Sequence, residues 1–93
     1  MNKYIKHITV QINGKVQGVW FRDSVRNAAH KFGLVGYAKN NDDGSVTVEA
    51  CGEENNFEEF IKLCKQGSDL SDVENINYTI DDNLCDYNDF KIL

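Results

Sequence analysis

Along this chain the spacing of apolar residues alternates between the period of a strand and that of a helix, and the order of the switches leaves few architectures open. Ile8, Val10 and Ile12 alternate with Thr9 and Gln11, which predicts a strand over 4–12. Phe21, Val25, Ala28, Ala29 and Phe32 share one helical face, which predicts a helix over 21–32 closed by Gly33. Two strands are expected at 34–39 and 45–51, joined by the turn-forming run Asn40-Asn41-Asp42-Asp43-Gly44 and ended by Gly52. Phe57, Phe60, Ile61 and Cys64 predict a second helix over 56–65, with Asn55 or Asn56 as its N-cap. Ile76, Tyr78 and Ile80 alternate with polar residues, which predicts a strand over 74–80. A polar loop over 81–86 and a last strand over 87–92 complete the chain.

The predicted order is β-α-β-β-α-β plus a short extra C-terminal strand. That is an α+β, ferredoxin-like sandwich, an antiparallel-containing sheet with two helices on one face. With 93 residues, a single domain over 1–93 is expected. No apolar run approaches the ~20 residues that span a bilayer. No apolar stretch follows a basic start, so a cytoplasmic protein without membrane contact is expected. The three cysteines, Cys51, Cys64 and Cys85, are odd in number and widely spaced. That pattern predicts buried reduced thiols, not a disulfide framework. With His7 and His30 they lack metal-site spacing, so no metal site is expected. The net charge of −5 divides into +3 over 1–51 and −8 over 52–93. An acidic whole argues against nucleic-acid binding. The basic part holds both arginines, Arg22 and Arg26, and can serve a small anion.

The stretch Gly14-Lys15-Val16-Gln17-Gly18-Val19-Trp20-Phe21-Arg22 joins the first strand to the first helix. A loop in this place aims several main-chain N–H groups at one point, and the positive end of the helix adds to their field. Gly14 and Gly18 admit torsions and close approaches that a Cβ hinders. A cation in the first helical turn, such as Arg22, opposes the helix dipole. An anion between Arg22 and the loop offsets that, because the planar guanidinium can grip two phosphate oxygens. The loop is not of the nucleotide-binding kind, since no Lys-Ser/Thr follows Gly18. Taken alone, the same residues fit a tight connection with a solvated arginine equally well.

This stretch resembles the G-x-V-Q-G-V-x-F-R motif of the acylphosphatase family at every fixed position. Gly36-Tyr37-Ala38-Lys39-Asn40-Asn41-Asp42-Asp43-Gly44-Ser45-Val46 is similar to that family's second motif, G-[WY]-V-[RK]-N-x-x-D-G-x-V, and Tyr87-Asn88-Asp89-Phe90-Lys91-Ile92 to its last strand. The likeness covers about 4 to 92. It departs at Ala38, where Val is common, and at Ser68, where many members carry Pro after Gly. The resemblance implies hydrolysis of small acyl phosphates to a carboxylate and inorganic phosphate, without metal or organic cofactor; a monomer is expected. It implies that Arg22 binds the phosphate and Asn40 orients the attacking water, with Lys15, Val16, Gln17, Gly18 and Val19 forming the rest of the phosphate loop. By chemistry alone Asn41 competes with Asn40, and only the register to Asp43-Gly44 selects Asn40. Trp20 falls at the variable position of the first motif, where partial burial for packing is expected. An anion-binding module without turnover uses the same loop and stays open as the alternative. An RNA-binding domain of this architecture is disfavoured by the charge and by the lack of paired stacking aromatics.

Overall fold

The computed structural model describes residues 5–93; Tyr4, included in the first predicted strand, lies outside the described residues. The elements are β1 (Ile5–Lys15), α1 (Phe21–Lys31), β2 (Val35–Asn40), β3 (Val46–Glu53), a short 3₁₀ turn (Glu54–Asn56), α2 (Phe57–Gln66), β4 (Asp72–Asp81) and β5 (Phe90–Ile92). One sheet holds them in the order β4-β1-β3-β2-β5. β1 pairs antiparallel with β3 and β4, and β3 antiparallel with β2. Only β2–β5 is parallel. This is the expected ferredoxin-like sandwich.

Alternation along the strands sorts the side chains. Ile8, Val10, Ile12, Ala38, Val46, Val48 and Ala50 are fully buried against the apolar faces of α1 (Phe21, Val25, Ala28, Ala29) and α2 (Phe57, Phe60, Ile61, Cys64). Several boundaries shift. Gly52 does not end β3, because it pairs with Lys6 and the ladder continues to Glu53 opposite Ile5. Asn56 does precede α2, yet it makes no capping bond; its side-chain amide donates instead to Phe32 O at 3.4 Å. The last strand is confined to Phe90–Ile92. On β4 the alternating apolar residues reach the rim of the helix layer, leaving Tyr78 half exposed.

Among the described residues the other face of the sheet carries no helix, and the loop over 82–89 folds back across part of it. There His7, 5 % exposed, lies between Asp81 Oδ1 at 3.0 Å and Glu49 Oε1 at 2.8 Å. Tyr37 donates its hydroxyl to Glu49 and meets the Tyr87 ring edge-on at 5.8 Å. The Tyr37 and His7 hydrogen bonds hold the Glu49 carboxyl below its ordinary range.

The cysteine expectation is corrected in this region. Cys51 and Cys85 are joined in a disulfide across a Cα–Cα distance of 6.1 Å. Cys51 is turned to the open face by strand alternation, and the returning loop brings Cys85 to it. Only Cys64 is a buried free thiol, and burial pushes it up to about 12.

Two stability measurements follow from this face. The disulfide closes a sequence separation of 34 residues, which corresponds to about 2–4 kcal/mol. Dithiothreitol or Cys85→Ser should therefore lower Tm by roughly 10–20 °C; an unchanged melt would show that the loop keeps its place without the bond. A depressed carboxyl contributes stability above its unfolded value and loses it as pH falls. Urea midpoints should therefore decline as pH drops below about 4.5, and less steeply in Glu49→Gln.

Candidate active site

At the sheet end where β1 and β2 finish and β3 begins, hydrogen bonding decides which groups are free for a ligand. The chain passes from β1 to α1 through residues 16–20, with φ of 72° at Gly18 and 62° at Trp20. Nothing lies within 4 Å of a Cβ built on Gly18, so torsion alone calls for glycine there. Gly14 has another reason. Its Cβ would sit 2.2 Å from Asp72 O and 2.7 Å from Glu74 N, at the bulge where β1 shifts register against β4. Gly18 therefore belongs to the loop, as expected, whereas Gly14 belongs to the sheet.

Among the described residues, no main-chain N–H from Gln17 through Arg22 donates to a protein acceptor. The first bond of the helix runs from Ser24 N–H to Trp20 O at 3.1 Å. Free N–H donors beside the positive pole of a helix can hold an anion.

Arg22, in the first turn of α1, donates through Nη1 to Leu93 O at 2.5 Å. Leu93 N–H donates in turn to Ala38 O at 2.9 Å. Ala38 faces the helices, and Asn40, two residues along β2, faces the same side by alternation. The Arg22 guanidinium is thus tied through Leu93 to β2, the strand that ends in Asn40.

Asn40 and Asn41 differ in what their side chains do. Asn41 Nδ2 donates to Ser45 Oγ at 2.9 Å and Thr47 Oγ1 at 2.7 Å, and its N–H donates to Ser45 O at 2.8 Å. Asn41 therefore closes the hairpin. Asn40 Oδ1 is buried with no partner among the described residues. Leaving such an acceptor unmet costs about 1–3 kcal/mol, and a donor from outside the fold would satisfy it.

The remaining loop residues divide between lining the cavity and supporting it. Gln17 Nε2 donates to Asn41 O at 2.8 Å and to Ser45 O at 2.9 Å, tying the loop to the hairpin turn. Val19 is buried in the core, and its carbonyl accepts the Ser68 hydroxyl. Lys15 is exposed at the end of β1. Val16, Gly18 and Arg22 line a cavity of about 320 Å³ together with Trp20 and Ile92. Asn40 is not part of that wall. Arg26 pairs with Asp23 at 2.8 Å and takes no part in the site. Trp20 does not pack: it is 74 % exposed, in a left-handed conformation that costs a non-glycine residue roughly 1–2 kcal/mol. The tether from Leu93 was not foreseen, because no local pattern signals a contact between the first helix and the last strand.

The family model described as Acylphosphatase matches residues 8–92. A crystal structure of acylphosphatase from Bacillus subtilis superposes with a TM-score of 0.91 at 38% identity, covering 95% of this chain and 98% of that one. An acylphosphatase from Coxiella burnetii gives 0.90 at 36% identity, covering 98% and 95%. Full-length HypF, crystallised in a phosphate- and nucleotide-bound form, gives 0.86 at 37% identity, covering 96% of this chain and 12% of HypF. Family model, near-complete coverage and shared fold agree, and the chain belongs to the acylphosphatase family.

Proposed function

We propose that this chain hydrolyses the carboxyl–phosphate bond of small acyl phosphates by the cradle of loop N–H groups, Arg22 and Asn40. Membership of the family supports a hydrolase of that kind. The observation that carries the mechanism is the unpartnered Asn40 Oδ1 at the sheet end where the loop N–H groups are free.

The substrate phosphoryl group sits against the N–H groups of 17–22, with Arg22 gripping two of its oxygens by the guanidinium nitrogens not turned to Leu93. Asn40 Oδ1 accepts a hydrogen bond from a water and aims its oxygen at phosphorus. Asn40 never ionises, so it acts as a positioner and not as a base. Water oxygen bonds to phosphorus as the bond from phosphorus to the acyl oxygen breaks. The carboxylate leaves with the electron pair, and the water protons pass to the phosphate product and solvent. A carboxylate of pKa near ~4–5 needs no acid to help it depart. The transition state is loose, so positioning and fixed positive charge supply most of the acceleration.

The proposal includes a single-domain monomer that uses no metal or cofactor and binds no nucleic acid. The acidic net charge of −5 supports the last point. Among the described residues no helix is long and apolar enough to cross a membrane. A cytoplasmic location stays in the proposal, although a disulfide such as Cys51–Cys85 is more usual in oxidising compartments.

Phosphate release from benzoyl phosphate should persist in excess chelator; dependence on added Mg²⁺ would overturn the metal-free route. Arg22→Lys should lose about 100-fold or more in kcat/KM, because a point charge cannot replace the fork. Asn40→Ala should lose a similar factor in kcat while competitive inhibition by inorganic phosphate changes little. Equal loss of both properties would refute the division of roles. A wild-type protein that binds phosphate without turnover would establish the anion-binding module.

A further inference from the structure

We propose that Trp20 determines substrate specificity, its indole receiving the acyl portion of the substrate and favouring aromatic acyl phosphates over small aliphatic ones. The inference rests on the acyl phosphate reading and adds the substrate class to it. Trp20 is the one tryptophan of the chain and stands 74 % exposed. It is also the only non-glycine residue with positive φ among the described residues. A bulky residue in that conformation is unfavourable, and packing does not compensate it. The ring belongs neither to the aromatic pair Tyr37–Tyr87 nor to the cation–π contact of Lys31 with Phe32. The fold therefore gains little from this side chain.

Its position is what a substrate would use. Trp20 lines the cavity that Arg22 enters, together with Val16 and Ile92. Phosphate would fill only part of about 320 Å³, since five heavy atoms at ~30 Å³ each, the share of a water, occupy roughly 150 Å³. The rest can hold the group attached to the phosphate. Among the residues of that wall Trp20 alone is a large exposed hydrophobic. Covering it with a flat apolar acyl group removes two apolar surfaces from water and adds offset or edge-on aromatic attraction. A methyl group covers little of the ring. The cradle grips the phosphoryl end, which every acyl phosphate shares, so discrimination falls to the wall that meets the variable end.

The test compares kcat/KM for benzoyl phosphate and acetyl phosphate in the wild type, Trp20→Gly and Trp20→Phe. Glycine adopts φ near 62° without strain, so the fold survives loss of the ring, and a thermal melt checks it. The wild type should prefer benzoyl phosphate. In Trp20→Gly that preference should fall about tenfold, mostly through a higher KM for benzoyl phosphate. Trp20→Phe should restore a large part of it. An unchanged ratio in folded Trp20→Gly, or an equal loss on both substrates, overturns the role of Trp20 and leaves the hydrolase reading standing. A wild type inactive on both substrates overturns the two together.

Discussion

The site depends on one side-chain amide. Gln17 donates both of its Nε2 protons to carbonyls of the β2–β3 turn, Asn41 O and Ser45 O. Those carbonyls already accept from Gly44 N–H and Asn41 N–H, so the two bonds complete the turn as well as fasten the loop to it. Each bond contributes only about 0.5–1.5 kcal/mol net. Their larger effect is geometric. They hold the segment of free N–H groups against the segment that carries Asn40, and neither could keep that register alone. A cradle made of backbone donors has no side-chain rotamers to adjust, so its aim is set by where its ends are tied.

A second tie comes from the far end of the chain. Leu93 receives Arg22 and donates to Ala38, so the guanidinium is positioned by the backbone that extends β5 beside β2. The parallel β2–β5 pairing is a short addition to the sandwich, yet it carries this anchor. Such a contact holds an arginine at a helix N-terminus against the unfavourable dipole. The site is thus supported by three separate parts of the sequence, and its working groups are left with bonds unmade. The unpartnered Asn40 Oδ1 and the left-handed, exposed Trp20 are costs to the folded state that a water or ligand from outside the fold would offset.

The open face of the sheet follows another logic. Strand alternation sends His7, Glu49 and Cys51 there, and no helix covers them. The loop over 82–89 covers part of this face through the Cys51–Cys85 bond and the Tyr37–Tyr87 contact. This stabilises the sheet away from the candidate site, and it explains how polar and sulfur-bearing residues are accommodated on strands whose other face is mostly apolar.

The order of elements and the strand faces were legible in the amino-acid sequence. These follow from periodicity and turn residues, which act over a few residues at a time, and from a family likeness that spans the chain. The sequence also ranked Asn40 above Asn41, but by register and not by chemistry. Tertiary structure alone decided that Asn41 is consumed by the hairpin, that Gln17 clamps the loop and that Gly14 serves β4. It also decided that Leu93 holds Arg22 and that Trp20 lies open. The cysteine pair shows why. Cys51 and Cys85 are separated by 34 residues, and no local pattern encodes which long loop returns to which strand face. Hydrogen-bond partners and disulfides are chosen by what the closed fold brings within about 3 to 6 Å. That is a property of the assembled sheet and not of any segment of it.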